Sequence, residues 1–499
     1  MKRSITVVLL LLSVFILLAG CNRQTSGGGQ TINGLAPVTL QFFFGYDSKK
    51  AATDEVWNTI AQEFRNELNA DFEITFIAGS DYQDRMMVKL AAGDAWDMNF
   101  DGDWVIYYRA IAQNGYMALD DLLPRYAPDL YRAYQASGAH EAAKSNGKIV
   151  ALPWTNVMTN RPFFQWRDDL LPGINPASVK TIEDVEQILY ELKRRYPDRY
   201  TIENAGLWVF GMKNDTMEAP FDFSFNPNDS TVRVSHIAET EAYRDRARYA
   251  EKWQRDGLIW ADVLVDQLDH NQLINQGRLI TKWGTHEFSN DSRAWVEPTA
   301  RWGFSSLYDS KKFQLRTALA NIVAIPRTAK NPERTLMWLN LVETSQKMFD
   351  LLMYGIEGKT YVRDTTKPNT VEYPAGMNDN NSNYMNWQSR WALWKPQFMR
   401  GDPLFAEGFW QEEKDFALGN PNNIASPLDG FSLNTESIVT ELAQIKALYD
   451  AAEKMLDVGL AGPSDRAIDT LVNQMNAAGL QRVKQEYQRQ VDAFIASKR

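Results

Sequence analysis

Val38-Thr39-Leu40-Gln41-Phe42-Phe43-Phe44 is a run of β-branched and aromatic residues that stops at Gly45, which is the composition of a strand. A helical pattern follows it. Val56, Trp57, Ile60, Phe64 and Leu68 fall on one face, Thr53 stands where a cap belongs, and Asp54 and Glu55 occupy the first turn. Residues 72–77 read as a second strand, 82–92 as a second helix ended by Gly93, and 97–100 as a short third strand. Strand, helix, strand, helix, strand at this spacing predicts an α/β unit built on a parallel sheet.

The pattern continues downstream. Residues 149–153 form a strand after the turn Ser145-Asn146-Gly147, and 181–196 give the clearest helix. Thr181 caps that helix, Asp184 completes a capping-box variant, and Ile182, Val185, Ile188, Leu189 and Leu192 make its apolar stripe before Pro197 stops it. Further strands are expected at 207–211, 279–283 and 321–325. Helices are expected at 239–255, 332–353, 436–456 and 465–496.

Composition narrows the function. The chain has 499 residues, with 53 Lys plus Arg against 63 Asp plus Glu, for a formal net charge of −10. That length fits two large lobes. The acidic balance offers no basic field for phosphates, so no nucleic-acid partner is expected. A single cysteine excludes a disulfide framework and thiolate-built metal sites. The four histidines (His140, His236, His270 and His286) lack metal-ligand spacing, and no metal or cofactor is expected. The Asn-rich stretch 378–383 lacks the Gly and Glu of an EF-hand, so an ordinary polar turn is favoured over a calcium loop. The surplus is aromatic: 16 Trp, 20 Tyr and 24 Phe, enough either for a large core or for a surface made to stack on a ligand.

The N-terminus sets the compartment. Lys2 and Arg3 precede an apolar run too short to span a bilayer as a permanent helix, so residues 1–20 read as a signal peptide. Leu17-Leu18-Ala19-Gly20-Cys21 matches the lipobox of bacterial lipoproteins. The match implies lipidation of Cys21 and cleavage before it. Residues 21–37 then form a flexible tether, which places the chain on the outer face of the cell membrane, lipid-anchored and without crossing it.

At this point the chain resembles a known family. The lipobox, the opening strand, Gly147-Lys148-Ile149-Val150-Ala151-Leu152-Pro153 and Arg167-Asp168-Asp169-Leu170-Leu171 resemble the family 1 extracellular solute-binding lipoproteins of carbohydrate ABC importers. The segments from Ala324-Ile325-Pro326 to Arg334, and Tyr354-Gly355-Ile356-Glu357-Gly358-Lys359-Thr360-Tyr361, are similar to motifs of that family. The tail from Gly430-Phe431 to Gln490 looks like the helical C-terminal region of a Gram-positive subgroup. One departure is that Lys395-Pro396 precede Gln397-Phe398 where many relatives carry Gly-Asn. The resemblance implies a two-lobe, periplasmic-binding-protein-like (type II) fold, similar to that of maltose-binding protein. Each lobe would be a mainly parallel sheet flanked by helices, with hinge crossovers. Residues 38–157 and 321–365 would form lobe 1; 158–320 and 366–499 would form lobe 2, including the C-terminal helices. It further implies a monomer that closes around a sugar, an oligosaccharide, and docks on ABC permease subunits served by a separate ATPase.

The site can be addressed without the family, because in open α/β sheets ligands sit beyond the carboxyl ends of the strands. Those ends carry Tyr46, then Asp101, Asp103 and Trp104, then Trp154 and Asn156, and in the middle lobe Trp208, and Trp283 with His286 and Glu287. Indole and phenol rings stack on the apolar faces of sugars while carboxylates and amides take the hydroxyls. Each of these tryptophans is equally readable as core, and Asp101 or Asp103 as a helix cap. Glu357 in the family motif, Trp391, Trp394 and Phe431 complete the expected ligand set. Gly355 and Gly358 make a structural turn the competing reading for Glu357. The spacing of Tyr384, Trp387, Trp391 and Trp394 suits either one buried helical face or a sugar platform. The alternative to transport is a membrane-tethered glycoside hydrolase or lyase, which needs a carboxylate pair across the cleft. No nucleophile, phosphate-loop or zinc-protease motif accompanies such a pair, so an enzyme is not expected.

Overall fold

Leu40, Phe42 and Phe44 are fully buried, whereas Thr39 is exposed and Gln41 and Phe43 are partly exposed. This alternation fixes one face of strand β1 (Val38–Gly45) on the core. In the computed structural model, the described residues are 30–497 apart from 155–157, 261, 265–272, 275, 285–299, 379–380, 386, 404, 406 and 432. The expectations for Cys21, Asn156, His286 and Glu287 therefore lie outside the described residues, as does part of the 378–383 loop.

β1 pairs in parallel with β2 (Ala70–Ile77) along its whole length and with β3 (Met98–Asp101) at Phe42 and Phe43. Helices α1 (Thr53–Glu63) and α2 (Gly79–Ala92) make the crossovers, as the opening pattern predicts. Val56, Trp57 and Ile60 are buried; Trp57 meets Phe42 edge-on, and Phe42 packs 4.9 Å from Trp338. Thr53 is the first helical residue and not the cap, and its hydroxyl accepts a hydrogen bond from the Lys50 amide. The sheet continues from β3 to the return strand Ile322–Ala324 and then to β4 (Leu152–Pro153), both contacts of the return strand being antiparallel. The chain thus leaves this lobe after β4 and re-enters it through Ile322. The segment before Ile322 consequently lies beside the carboxyl end of β3.

In the second lobe the capping box forms as read. The Thr181 hydroxyl receives the Asp184 amide and the Asp184 carboxylate receives the Thr181 amide, and all five stripe residues of α3 (Ile182–Arg195) are buried. The sheet beneath differs from expectation. Strand β5 (Phe163–Arg167) lies between β6 (Thr281–Gly284) and β7 (Trp302–Ser306), antiparallel to both, where a mainly parallel sheet was expected. β5 carries no strand pattern in the sequence because all five residues are buried, including Gln165 and Arg167. Arg167 is accommodated by a two-pronged pair with Asp169 at 2.7 and 2.6 Å. Residues 207–211, expected as a strand, form helix α4 (Leu207–Lys213), entered through Gly206 at φ +60°. A short apolar run carries no periodicity to separate the two, and packing on α5 (Glu241–Arg255) decides it.

The C-terminal region is helical as expected: α6 (Val439–Leu456), α7 (Ser464–Ala477) and α8 (Leu480–Ser497). The last two were read as one helix. Gly479, at φ +100° and with Glu441 where a Cβ would stand, separates them. These helices share a core with Met217, Phe223, Phe225 and Val234. Tyr384, Met385, Trp387, Trp394, Phe405 and Trp410 share the core of β1, whereas the expected division placed them with the second lobe. The departure Lys395-Pro396 belongs to this segment: the Lys395 ammonium is buried 2.6 Å from the Glu343 carboxylate. Among the described residues no helix is long and apolar enough to cross a membrane, and no cluster of three metal-ligating side chains occurs.

Candidate functional site

The loop after β3 is built around Asp101. Its carboxylate is wholly buried and accepts the Gly102 amide (2.8 Å), the Ile106 amide (2.9 Å) and the Tyr116 hydroxyl. Burial pushes its pKa up to about 7 in spite of these donors. Asp101 is thus a brace inside the protein, not a ligand contact; it holds the Ile106 amide just before the helix Tyr107–Ala112 without being that helix's cap. Gly102 runs against the return segment: a Cβ there would stand 2.7 Å from the Ala320 carbonyl oxygen and 2.9 Å from Trp104 Nε1. Only glycine allows that approach.

What the brace presents is Asp103 and Trp104. Both line a cleft of about 860 Å³, within the range of small-molecule sites. Trp104 is 46% exposed, the most open indole among the described residues. It is nonetheless held: Nε1 donates to the Ala320 carbonyl at 2.6 Å and the ring lies 4.9 Å from Tyr46. Tyr46 therefore backs the site and does not line it. Its hydroxyl accepts from Gln83 and its backbone stands at φ +64°. Burial pushes the Asp103 carboxyl up to about 6, with Asp429 adding to the rise and Arg316 opposing it.

The floor comes from the crossing segments. Trp154 borders the cleft with its ring almost wholly buried, Nε1 donating to the Thr317 carbonyl at 3.3 Å. Arg316 lies beside it. Burial pushes its guanidinium pKa down, against the pull of Glu413, Asp103 and Glu218. Trp391 and Trp394 line the same floor. The aromatic run divides: Tyr384 and Trp387 are core, both hydrogen-bonded to the Leu352 carbonyl, at 2.9 and 3.3 Å. The 3-10 turn Gln388–Leu393 breaks the helical face and brings the other two to the cleft.

The opposite wall is not where the strand-end rule puts it. Trp208 and Trp283 belong to the second-lobe core, and the Trp283 Nε1 is engaged by the Asn204 carbonyl at 2.9 Å. The antiparallel sheet does not end at the cleft, so the rule for parallel strands does not apply there. The wall is instead the turn holding Glu218, Phe221 and Asp222, with Asp429 and Gly430 and, from α6, Lys446. Phe431, next in sequence, turns inward against Tyr487 (5.5 Å) and Phe494 (5.4 Å). Glu357 pairs with Arg363 at 3.0 Å in a turn where Gly355 and Gly358 stand at φ +90° and +80°, so the motif is a structural turn.

Sequence reasoning missed Arg316, Glu218, Asp222 and Asp429. A signal for Arg316 was available. The return strand is antiparallel, so it is the residues before it, not after it, that share the cleft end of the sheet. Glu218 stands on the three-residue strand Met217–Ala219 and the other two in loops, none of them within a motif. Taken together, the site offers indole faces on one wall and the floor, with four carboxylates (Asp103, Glu218, Asp222 and Asp429) and three cations (Arg109, Arg316 and Lys446) around them. Such a set can stack on C–H faces and bond hydroxyls from both sides.

A carbohydrate ABC transporter substrate-binding protein of Streptococcus pneumoniae serotype 4 is 23% identical over 494 residues, covering 97% of this chain and 96% of that protein. The crystal structure of an N-glycan transport solute binding protein (NgtS) from Streptococcus pneumoniae superposes with a TM-score of 0.72 at 22% identity, covering 93% of this chain and 100% of that one. The structure of the same protein in complex with Man5GlcNAc superposes with a TM-score of 0.67 at 22% identity, again covering 93% and 100%. A family described as a domain of unknown function (DUF3502) matches residues 427–496, which include the Asp429 loop, α6, α7 and all but the last residue of α8. The fold is the two-lobe α/β fold of type II solute-binding proteins.

Proposed function

We propose that this protein captures an oligosaccharide between its lobes and delivers it to an ABC importer. The observation that carries the reading is the cleft itself. A fixed, half-open indole (Trp104) stands over a floor of Trp154, Trp391 and Trp394, with carboxylates and a buried guanidinium arranged around them. The whole-length likeness to a carbohydrate substrate-binding protein and to a glycan-binding structure supports it. Closure is driven by contacts that the ligand makes only when both walls reach it. The closed form then docks on two permease subunits, and a separate ATPase chain supplies the energy. The mature chain is a monomer, tethered to the outer face of the membrane through the lipid on Cys21.

We read the site as binding without catalysis, as in the relatives. The test covers both outcomes. The chain from Asn22 onward is titrated with oligosaccharides, following tryptophan fluorescence and the radius of gyration, and each mixture is analysed for products. Saturable quenching with compaction is expected. Accumulation of shortened sugars would place the Asp103–Asp429 neighbourhood among glycoside-cleaving carboxylate pairs, and no response to any sugar would remove the transport reading. For the anchor, a Cys21→Ser chain is expected to lose lipid labelling and membrane retention; retention without the thiol would refute it.

A further inference from the structure

Beside the main cleft lies a second chamber of about 460 Å³. One side is α6, through Val439, Leu442, Ala443 and Ile445; His236 and Thr435 close it. Arg109, Phe221, Asp222 and Lys446 line both spaces, so the two meet there. Each lies within the size range of a small-molecule site.

The junction is held in an unusual way. Phe221 and Asp222 stand at φ +64° and +60°, the left-handed region that bulky side chains avoid. Phe221 is also 42% exposed. The turn thus holds an unfavourable backbone in order to keep an apolar ring in water, a combination associated with functional sites. It is clamped from outside: the Asp222 carbonyl accepts the Ile237 amide at 2.8 Å, and the Asp222 carboxylate lies 3.6 Å from Lys446, which Asp450 holds at 2.7 Å. From the other wall Arg109 reaches the junction, hydrogen-bonded to the neutral acceptors Gln83 (2.8 Å) and the Val105 carbonyl (3.3 Å). Val439 is 58% exposed toward the chamber. The chamber therefore offers an apolar side along α6 for C–H surfaces, with the Phe221 ring and the charged groups Arg109, Asp222 and Lys446 at its junction with the main cleft.

We propose that Phe221 divides one continuous site and that the chamber along α6 seats a second arm of the ligand, so the protein selects oligosaccharides that turn or branch at this point. The proposal rests on the reading of the cleft as a sugar site. A straight ligand confined to the main cleft leaves the second chamber empty; one that turns at Phe221 fills both.

The test uses the chain from Asn22 onward and pairs of branched and linear manno- and gluco-oligosaccharides of equal residue number, with affinities measured by calorimetry. Ala443→Trp fills the chamber from an exposed helix position, and Trp104→Ala serves as the variant of the main cleft. The expected result is at least tenfold preference for a branched member of a pair, reduced at least fivefold by Ala443→Trp, while Trp104→Ala weakens both members. A preference that Ala443→Trp leaves intact, or equal affinity for both members in the unmodified chain, overturns the second chamber and leaves the sugar site standing. No saturable binding of any pair overturns the sugar site itself.

Discussion

Trp104→Ala separates a ligand platform from core packing. Trp104 exposes 46% of its surface. A tryptophan side chain presents roughly 250 Å², so about 115 Å² is open to the cleft. A sugar ring covers one face, about half of that area, and at about 25 cal/mol per Å² the stacked contact contributes about 1.5 kcal/mol. That corresponds to roughly tenfold in Kd. The hydrogen bond to Ala320 holds the ring before the ligand arrives, so little of this contact is spent on ordering it. The assay is calorimetric titration of the variant with the tightest-binding oligosaccharide, with thermal unfolding as a control. Kd should rise about tenfold with Tm changed by no more than a few degrees. Trp283→Phe should do the reverse: the Asn204 carbonyl loses its donor, stability falls by about 1–2 kcal/mol, and Kd stays. A Kd for Trp104→Ala within twofold of the unmodified chain would refute the assignment of this indole as the platform.

Three more outcomes follow from the same geometry. Burial raises the Asp103 pKa from 3.8 to about 6, so the stability from its protonated form is complete below about pH 4 and lost as pH rises through about 6. Discounted for its access to the cleft, the loss is roughly 1–2 kcal/mol. Denaturant melts of Asp103→Asn should therefore match the unmodified chain at pH 4 and exceed it at pH 7; an identical difference at both would contradict the placement. Asp101→Ala strands the Gly102 and Ile106 amides and the Tyr116 hydroxyl, and should cost about 3–5 kcal/mol of unfolding free energy, against 1 kcal/mol or less if Asp101 were a solvated ligand contact. Gly355→Ala puts a Cβ 2.3 Å from Thr360 Oγ1 at φ +90° and should lower Tm strongly, whereas Glu357→Gln should leave the sugar Kd within twofold.

The sequence was legible where local chemistry and long-range packing agree. The alternation of β1, the capping box of Thr181 and Asp184, and the left-handed stop at Gly93 each leave a mark at fixed spacing. β5 left none, because a strand buried at every position and neutralising Arg167 through Asp169 has no alternation to read. The first-lobe half of the site was found through the ends of parallel strands, and Asp103, Trp104 and Trp154 stand there. The second-lobe half was not, because that sheet is antiparallel and its wall comes from the 218–222 turn and the Asp429 loop, whose side chains meet only after the C-terminal helices pack. The aromatic run divided at a 3-10 turn that no periodicity announces.

In the proposed function a sugar lies between the lobes on Trp104. A crystal structure of the chain from Asn22 onward with its tightest-binding oligosaccharide tests it most directly. The expected result is a pyranose ring stacked on the Trp104 indole, with hydroxyls bonded to Asp103 and to at least one of Glu218, Asp222 or Asp429 from the opposite wall. A saturating oligosaccharide found elsewhere, or one that leaves Trp104 untouched, would contradict it.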